Sequence, residues 1–212
     1  MKTQSKLVSG IFLVVLFVVL PGMSYFYLQT GLDYHRARKA ELDDLGQVQS
    51  VELLDHLGEN FSTKDMKGKM SVLGFFSPNC GDSCDVMIER FQLIQEQFTD
   101  YDKLLLLAHS VNPELDSVSA LKTGTENASG QEGMWYWLTA KDSTYNSYIN
   151  GYDVDFKDRY GSQFALVDSN LTILRYYDVL DQNEINRLVI HLSKFAPRPT
   201  EKGIRFKREK EK

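Results

Sequence analysis

The sequence predicts an α/β domain, a mixed sheet flanked by helices, preceded by one N-terminal transmembrane helix. Three observations carry that expectation: an apolar run near the N-terminus without a charge, short apolar segments alternating with helical stripes, and a late pair of apolar segments joined by turn residues. Setting aside Leu7 to Leu28 and the residues beyond Ala196 leaves, of the 212, a stretch near Val51 to Ala196. A chain of that length buries roughly 68–70% of its unfolded surface, enough for one core without a metal or disulfide staple. Hydrophobic residues at 42% and aromatics at 12%, with 24 basic against 29 acidic side chains, exclude intrinsic disorder and collagen. The formal net charge of −5 argues against nucleic acid as the main partner, because phosphate binding requires a concentrated positive surface.

No charged residue stands between Lys6 and Asp33, and Leu7 to Leu28 is long enough as a helix to cross the hydrocarbon core of a bilayer. Lys2 and Lys6 precede it on a short arm, and Tyr25, Phe26 and Tyr27 fall where an interfacial aromatic belt is expected. No small-x-small cleavage pattern follows the run and no cysteine stands there to take a lipid, so an uncleaved single-pass anchor is expected rather than a signal peptide. The predicted organisation is a cytoplasmic arm over 1–6, the anchor over 7–28, a polar linker over 29–50, the folded domain over 51–196 and a basic tail over 197–212 without stable structure. The domain is then held outside the cytoplasm, where cysteines can be oxidised.

Within the domain, Ser71 to Phe76 is an apolar run of the kind found in a buried strand, ended by Ser77-Pro78-Asn79. Met87, Phe91, Ile94 and Phe98 recur at spacings of four, three and four, which places them on one stripe of a helix from about Ser83 to Phe98. Leu104 to Ala108 reads as a second strand, Ser117 to Asn127 as a helix with Val118 and Leu121 inward, and Trp135 to Thr139 as a third strand with its alternate aromatics in the core. Phe164 to Val167 and Leu171 to Tyr177, joined by Asp168-Ser169-Asn170, form a hairpin. Ile185, Leu188, Val189, Leu192 and Phe195 mark a closing helix. This is a thioredoxin-like order of elements, with a sheet covered on both faces.

Cys80 and Cys84 are the only cysteines, and a separation of four on a helix puts them on one face, so they can close a disulfide or grip one ion. They follow a strand's C-terminal end and begin a helix, where α/β sheets bind ligands and backbone N–H groups favour a thiolate. A purely structural bridge is the bland alternative. So short a loop yields about 2 kcal/mol on chain-entropy grounds, against about 4.7 for a loop of 100 residues. The carboxylates of Asp82 and Asp85 disfavour an ionised thiol while the helix terminus favours it by up to ~2 kcal/mol. Two soft sulfur ligands suit Cu(I) better than zinc, which in a structural site takes four protein ligands.

Four stretches together resemble the Sco/SenC family of membrane-anchored, thioredoxin-fold proteins of cytochrome c oxidase copper-centre assembly. Met66-Lys67-Gly68-Lys69 before Val72 to Phe76 is similar to its L-K-G-K lead into a core strand, and Cys80-Gly81-Asp82-Ser83-Cys84 to its C-P-D-x-C. Ser110-Val111-Asn112-Pro113 is similar to its S-V-D-P, and Phe164 to Asp168 to its F-x-L-V-D. The resemblance implies that Cys80 and Cys84 are a catalytic redox pair or Cu(I) ligands. It implies, as partner, a cytochrome c oxidase subunit or another thiol or copper protein, and a place on the periplasmic side of a bacterial inner membrane. Gly81 and Asp85 stand where the family usually has proline, and Asn112 replaces an aspartate. The family's third copper ligand, a histidine, has no counterpart in Asp153 to Ser162, where ungapped placement puts Tyr160.

His109, at the end of the second strand, is the candidate substitute metal ligand. His191 falls off the apolar stripe of the last helix and, with His35 and His56, is expected at the surface. The leading functional expectation is thiol–disulfide exchange and copper handling by Cys80 and Cys84. The alternative is a non-catalytic envelope binding module with a fixed Cys80–Cys84 disulfide.

Overall fold

The computed structural model describes residues 15–39, 41–76, 82–113, 116–125, 130–141, 144–152 and 162–196. The chain divides into two compact units, Met1–Asp43 and Asp44–Lys212. In the first, a π-helical turn, Val15–Val19, leads into helix α1, Leu20–Lys39. No helix among the described residues is long and apolar enough to cross a membrane. The expected span opens at Leu7, and its residues 7–14 lie outside the described ones.

The second unit is built on a seven-stranded mixed sheet. In chain order its elements are β1 (Glu52–Asp55), β2 (Asn60–Ser62), β3 (Met70–Phe76), α2 (Asp82–Gln97), β4 (Leu104–Ser110), α3 (Val118–Thr125), β5 (Trp135–Ala140), α4 (Thr144–Ile149), β6 (Gln163–Val167), β7 (Ile173–Asp178) and α5 (Gln182–Phe195). The strand order is β2-β1-β5-β4-β3-β6-β7, with β3, β4 and β5 parallel and every other pairing antiparallel. Central β3 and β4 are buried along their whole length, as their unbroken apolar runs require.

Gly74 fixes the approach of α2 to the sheet. A Cβ there would lie 2.9 Å from Met87 Sδ and 3.1 Å from the rings of Phe91 and Phe164, so only glycine admits the helix this close. The expected stripe is on that face: Met87, Phe91 and Ile94 are fully buried, and Phe91 stacks on Phe164 at 4.6 Å and meets Trp135 edge-on at 5.3 Å. The opposite face buries Leu73, Phe75, Leu105 and Leu107 against Tyr145, Tyr148 and Tyr152 on and just after α4.

The β1–β2 hairpin and α4 are elements that the sequence reading did not contain. Asp55 closes the hairpin turn by accepting from the backbone N–H of Leu57 at 2.9 Å and of Glu59 at 2.8 Å. Asp168 does the same between β6 and β7, accepting from Asn170 and Thr172 N–H, both at 2.8 Å. There Leu171 takes a φ of 68°, outside extended geometry, so β7 starts at Ile173 and not at Leu171 as expected. Residues 45–48 of the expected linker pair with the start of β7, through Leu45 N–H to Ile173 O at 2.9 Å and Val48 N–H to Leu171 O at 2.8 Å, and Val48 is buried.

Helix α5 opens on Asp181, whose carboxylate accepts from Asn183 N–H at 2.8 Å as an N-cap. It buries Ile185, Leu188, His191 and Leu192. His191 is therefore a core residue and not the expected surface one: it stands three positions after Leu188, on the same stripe, and its Nδ1 meets Tyr177 Oη at 2.6 Å. Phe195, expected to face inward, is 41% exposed.

Candidate redox site

The site forms where β3 ends. Phe76 is the last residue of a fully buried strand, and its carbonyl accepts from Val111 N–H at 2.8 Å, which ties the end of β3 to the chain leaving β4. Helix α2 begins six residues on, at Asp82. Cys84 stands in its first turn, half-buried and disulfide-bonded, and no cysteine among the described residues is free. The chain's other cysteine, Cys80, lies with residues 77–81 outside the described residues. Asp82 and Asp85 share that first turn and complement the positive end of the helix dipole.

Beside it, the loop after β4 is held by a buried polar network. Ser110 Oγ donates to Asp116 Oδ2 and accepts from Asn112 N–H at 3.1 Å, while Asp116 N–H donates to Asn112 O at 3.1 Å. Thr139 Oγ1 donates to Asp116 O at 2.8 Å, and Tyr145 Oη donates to Ser110 O. Burial raises the Asp116 carboxyl above its ordinary range, and the Ser110 hydrogen bond partly offsets that. The sequence reading contained Ser110 only as part of a motif and missed Asp116, Thr139 and Tyr145.

His109 is fully buried at the end of β4, on the face that carries Phe75, whose ring centroid is 5.9 Å away. Its Nε2 is 2.9 Å from Tyr148 Oη, and Tyr152 Oη donates to Tyr148 Oη at 2.8 Å. With Tyr148 accepting from Tyr152, its own proton points to Nε2, and the imidazole carries its proton on Nδ1. Burial lowers the pKa of His109 to about 3, against a weaker opposing contribution from the Leu107 backbone. Helix α2, with Cys84, covers the other face, so the structure does not bring His109 and Cys84 together. Of the two ring nitrogens of His109, expected as a metal ligand, Nε2 meets Tyr148 on the sheet face opposite α2, and Nδ1 is buried without a hydrogen-bond partner. Among the described residues no group of three or more His, Cys, Asp or Glu is arranged to hold a metal ion. Tyr160 lies outside the described residues.

The SCO1/SenC family model matches residues 41–190, which contain this site and nearly the whole sheet unit. The chain belongs to the SCO1/SenC family. A SCO2-like protein of Rickettsia felis is 24% identical over 197 residues, spanning 84% of this chain and 92% of the relative. Yeast Sco1 with copper bound superposes with a TM-score of 0.58 at 22% identity, over 73% of this chain and 96% of that one. BsSco, described with a disulfide switch and as a member of the Sco family of cytochrome c oxidase assembly proteins, superposes at 0.61 with 21% identity, over 71% and 94%. At these identities the structures establish the thioredoxin-like fold.

Proposed function

We propose that the chain is a membrane-anchored Sco/SenC protein that exchanges thiols and disulfides in maturation of the cytochrome c oxidase copper centre, with Cys80 and Cys84 as its redox pair. The observation that carries this reading is the oxidised, half-exposed Cys84 in the first turn of the helix that follows β3, inside the family match. In the reducing direction, one thiolate of the dithiol attacks a partner's disulfide and forms a mixed disulfide, releasing one partner thiolate. The second cysteine then displaces the other partner sulfur. Two electrons and two protons pass to the partner, and the Cys80–Cys84 disulfide remains. Cys80, nearer the strand end, is the attacking sulfur.

Copper enters as cargo. The reduced pair supplies two soft sulfur donors, a set suited to Cu(I), but the histidine that would complete the family's ligand set is absent from 153–162. His109 faces away. The donor set therefore supports disulfide chemistry more strongly than tight copper retention. The apolar run from Leu16 to Leu28, whose large side chains are exposed along its length, supports burial of that segment in a bilayer with the domain on the extracytoplasmic side.

A redox titration of the protein against glutathione tests the reading. A labile pair equilibrates with the buffer, and Cys80→Ser and Cys84→Ser each abolish mixed-disulfide turnover. A potential below about −300 mV would mark a fixed structural bridge and favour a non-catalytic binding module instead.

A further inference from the structure

Two clefts of about 240 and 530 Å³ meet at the turn leading into β5, where Glu132 and Gly133 line both. The first is bounded by Asp100, Tyr101 and Asp102, and the second adds Asp55 together with the rings of Tyr136 and Trp137. Among the described residues neither cleft is lined by a lysine or arginine; Lys103 adjoins the first in sequence without lining it. Asp55 and Glu132 line the second cleft together with Tyr136, whose pKa is raised chiefly by burial and further by these two carboxylates and Asp65, which lines neither cleft. Together they make a groove of negative potential with aromatic faces, a surface that suits guanidinium and ammonium groups.

The same groove begins where α5 ends. Tyr101, in the wall of the first cleft, donates through its hydroxyl to Phe195 O at 3.3 Å, so the chain leaves the domain beside that cleft. The residues beyond Ala196 are Pro197 to Lys212, with seven basic and three acidic side chains, and with Ile204 and Phe206 among the cations. Ten extended residues span up to ~33 Å, ample to follow a surface groove from its origin.

We propose that residues 197–212 dock in this groove of their own chain, with Arg205, Lys207 and Arg208 against Asp100, Asp102 and Glu132, and Ile204 and Phe206 over the aromatic wall. The cations match the carboxylates, the apolar pair matches the rings, and the exit point of the chain removes most of the cost of encounter. This inference stands apart from the copper and disulfide reading, since no sulfur takes part in it.

Amide hydrogen exchange on the full chain in detergent tests it, beside a variant ending at Ala196 and the triple variant Arg205→Glu, Lys207→Glu, Arg208→Glu. The altered residues lie beyond α5, the last described element, so no strand or helix of the domain is changed. Removing or reversing the tail is expected to speed exchange several-fold at residues 99–103 and 130–134, and about 0.5 M salt is expected to do the same to the unaltered chain by screening. Equal exchange of these loops in all three proteins would overturn the proposal. So would slowed exchange of residues 197–212 that appears only when vesicles of anionic lipid are added and leaves both loops unchanged, an outcome that assigns the tail to the membrane surface.

Discussion

Tyr148 Oη lies 2.9 Å from His109 Nε2, and both residues are sealed from solvent between β4 and α4. The imidazole there serves as an acceptor within the protein and has no position from which to reach Cys84. Its burial has a consequence for stability that can be measured.

Because His109 has its pKa lowered from 6.5 to about 3, the unfolded chain binds its proton more readily throughout that interval. The contribution of the neutral, buried ring is therefore fully present above pH 6.5 and is lost as pH falls from there towards 3. The loss amounts to as much as ~5 kcal/mol at the acid end. Urea midpoints measured between pH 7 and 4 are expected to fall, and His109→Gln is expected to flatten that slope.

His109→Leu removes the acceptor of a buried phenol. A cost of about 1–3 kcal/mol in unfolding free energy is expected. The affinity of the reduced protein for Cu(I) is expected to be unchanged, as followed by competition with a chromophoric chelator; a marked weakening would place the imidazole among the ligands.

At Asp116 the sign is reversed. Its carboxyl pKa is raised by burial, so the folded protein binds this proton more readily than the unfolded chain, and stability is lost as pH rises from the ordinary carboxylate range through the folded pKa. Asp116→Asn removes the charge and retains an acceptor for Ser110. It is expected to match or exceed the parent in stability at pH 7, with the advantage shrinking as pH approaches 4. Asp116→Ala strands Ser110 and should cost about 1–3 kcal/mol at either pH.

Gly74→Ala drives a methyl group to within 2.9 Å of Met87 Sδ. Overpacking of this kind costs about 1–3 kcal/mol, and the flexible thioether can relieve part of it by moving. Thermal melts of Gly74→Ala alone and combined with Met87→Ala should show coupling, with the double variant more stable than the sum of the single losses predicts.

Asp181→Ala deletes the acceptor for Asn183 N–H at the start of α5. The expected loss is about 1 kcal/mol, read from denaturant unfolding, with thiol–disulfide turnover unaffected.

The central strands and α2 were legible because burial on both faces leaves unbroken apolar runs, and burial of a single helix face leaves a stripe such as Met87, Phe91, Ile94 and Phe98. The orientation of His109 was not legible for the same reason. In Leu104 to Ser110 no polar alternation distinguishes one face of the strand from the other. The β1–β2 hairpin escaped because Glu52–Asp55 and Asn60–Ser62 are too short to carry a period. Helix α4 did carry a signal: Tyr145, Tyr148 and Tyr152 recur at spacings of three and four and are all buried. His191 belonged to the stripe of Leu188 by the same arithmetic. At the candidate site the two cysteines and the Ser110 motif stood out, but Asp116 did not, since its role depends on a loop folding back onto Ser110.

The oxidised Cys84 sits in the first turn of α2 and is not among the buried core residues, and the chain's only other cysteine is four residues away in sequence. If its partner is Cys80, as proposed, opening the bridge frees a loop of only a few residues. On the redox role proposed above, each visitor would meet the same platform whether it arrives to collect electrons or to leave them.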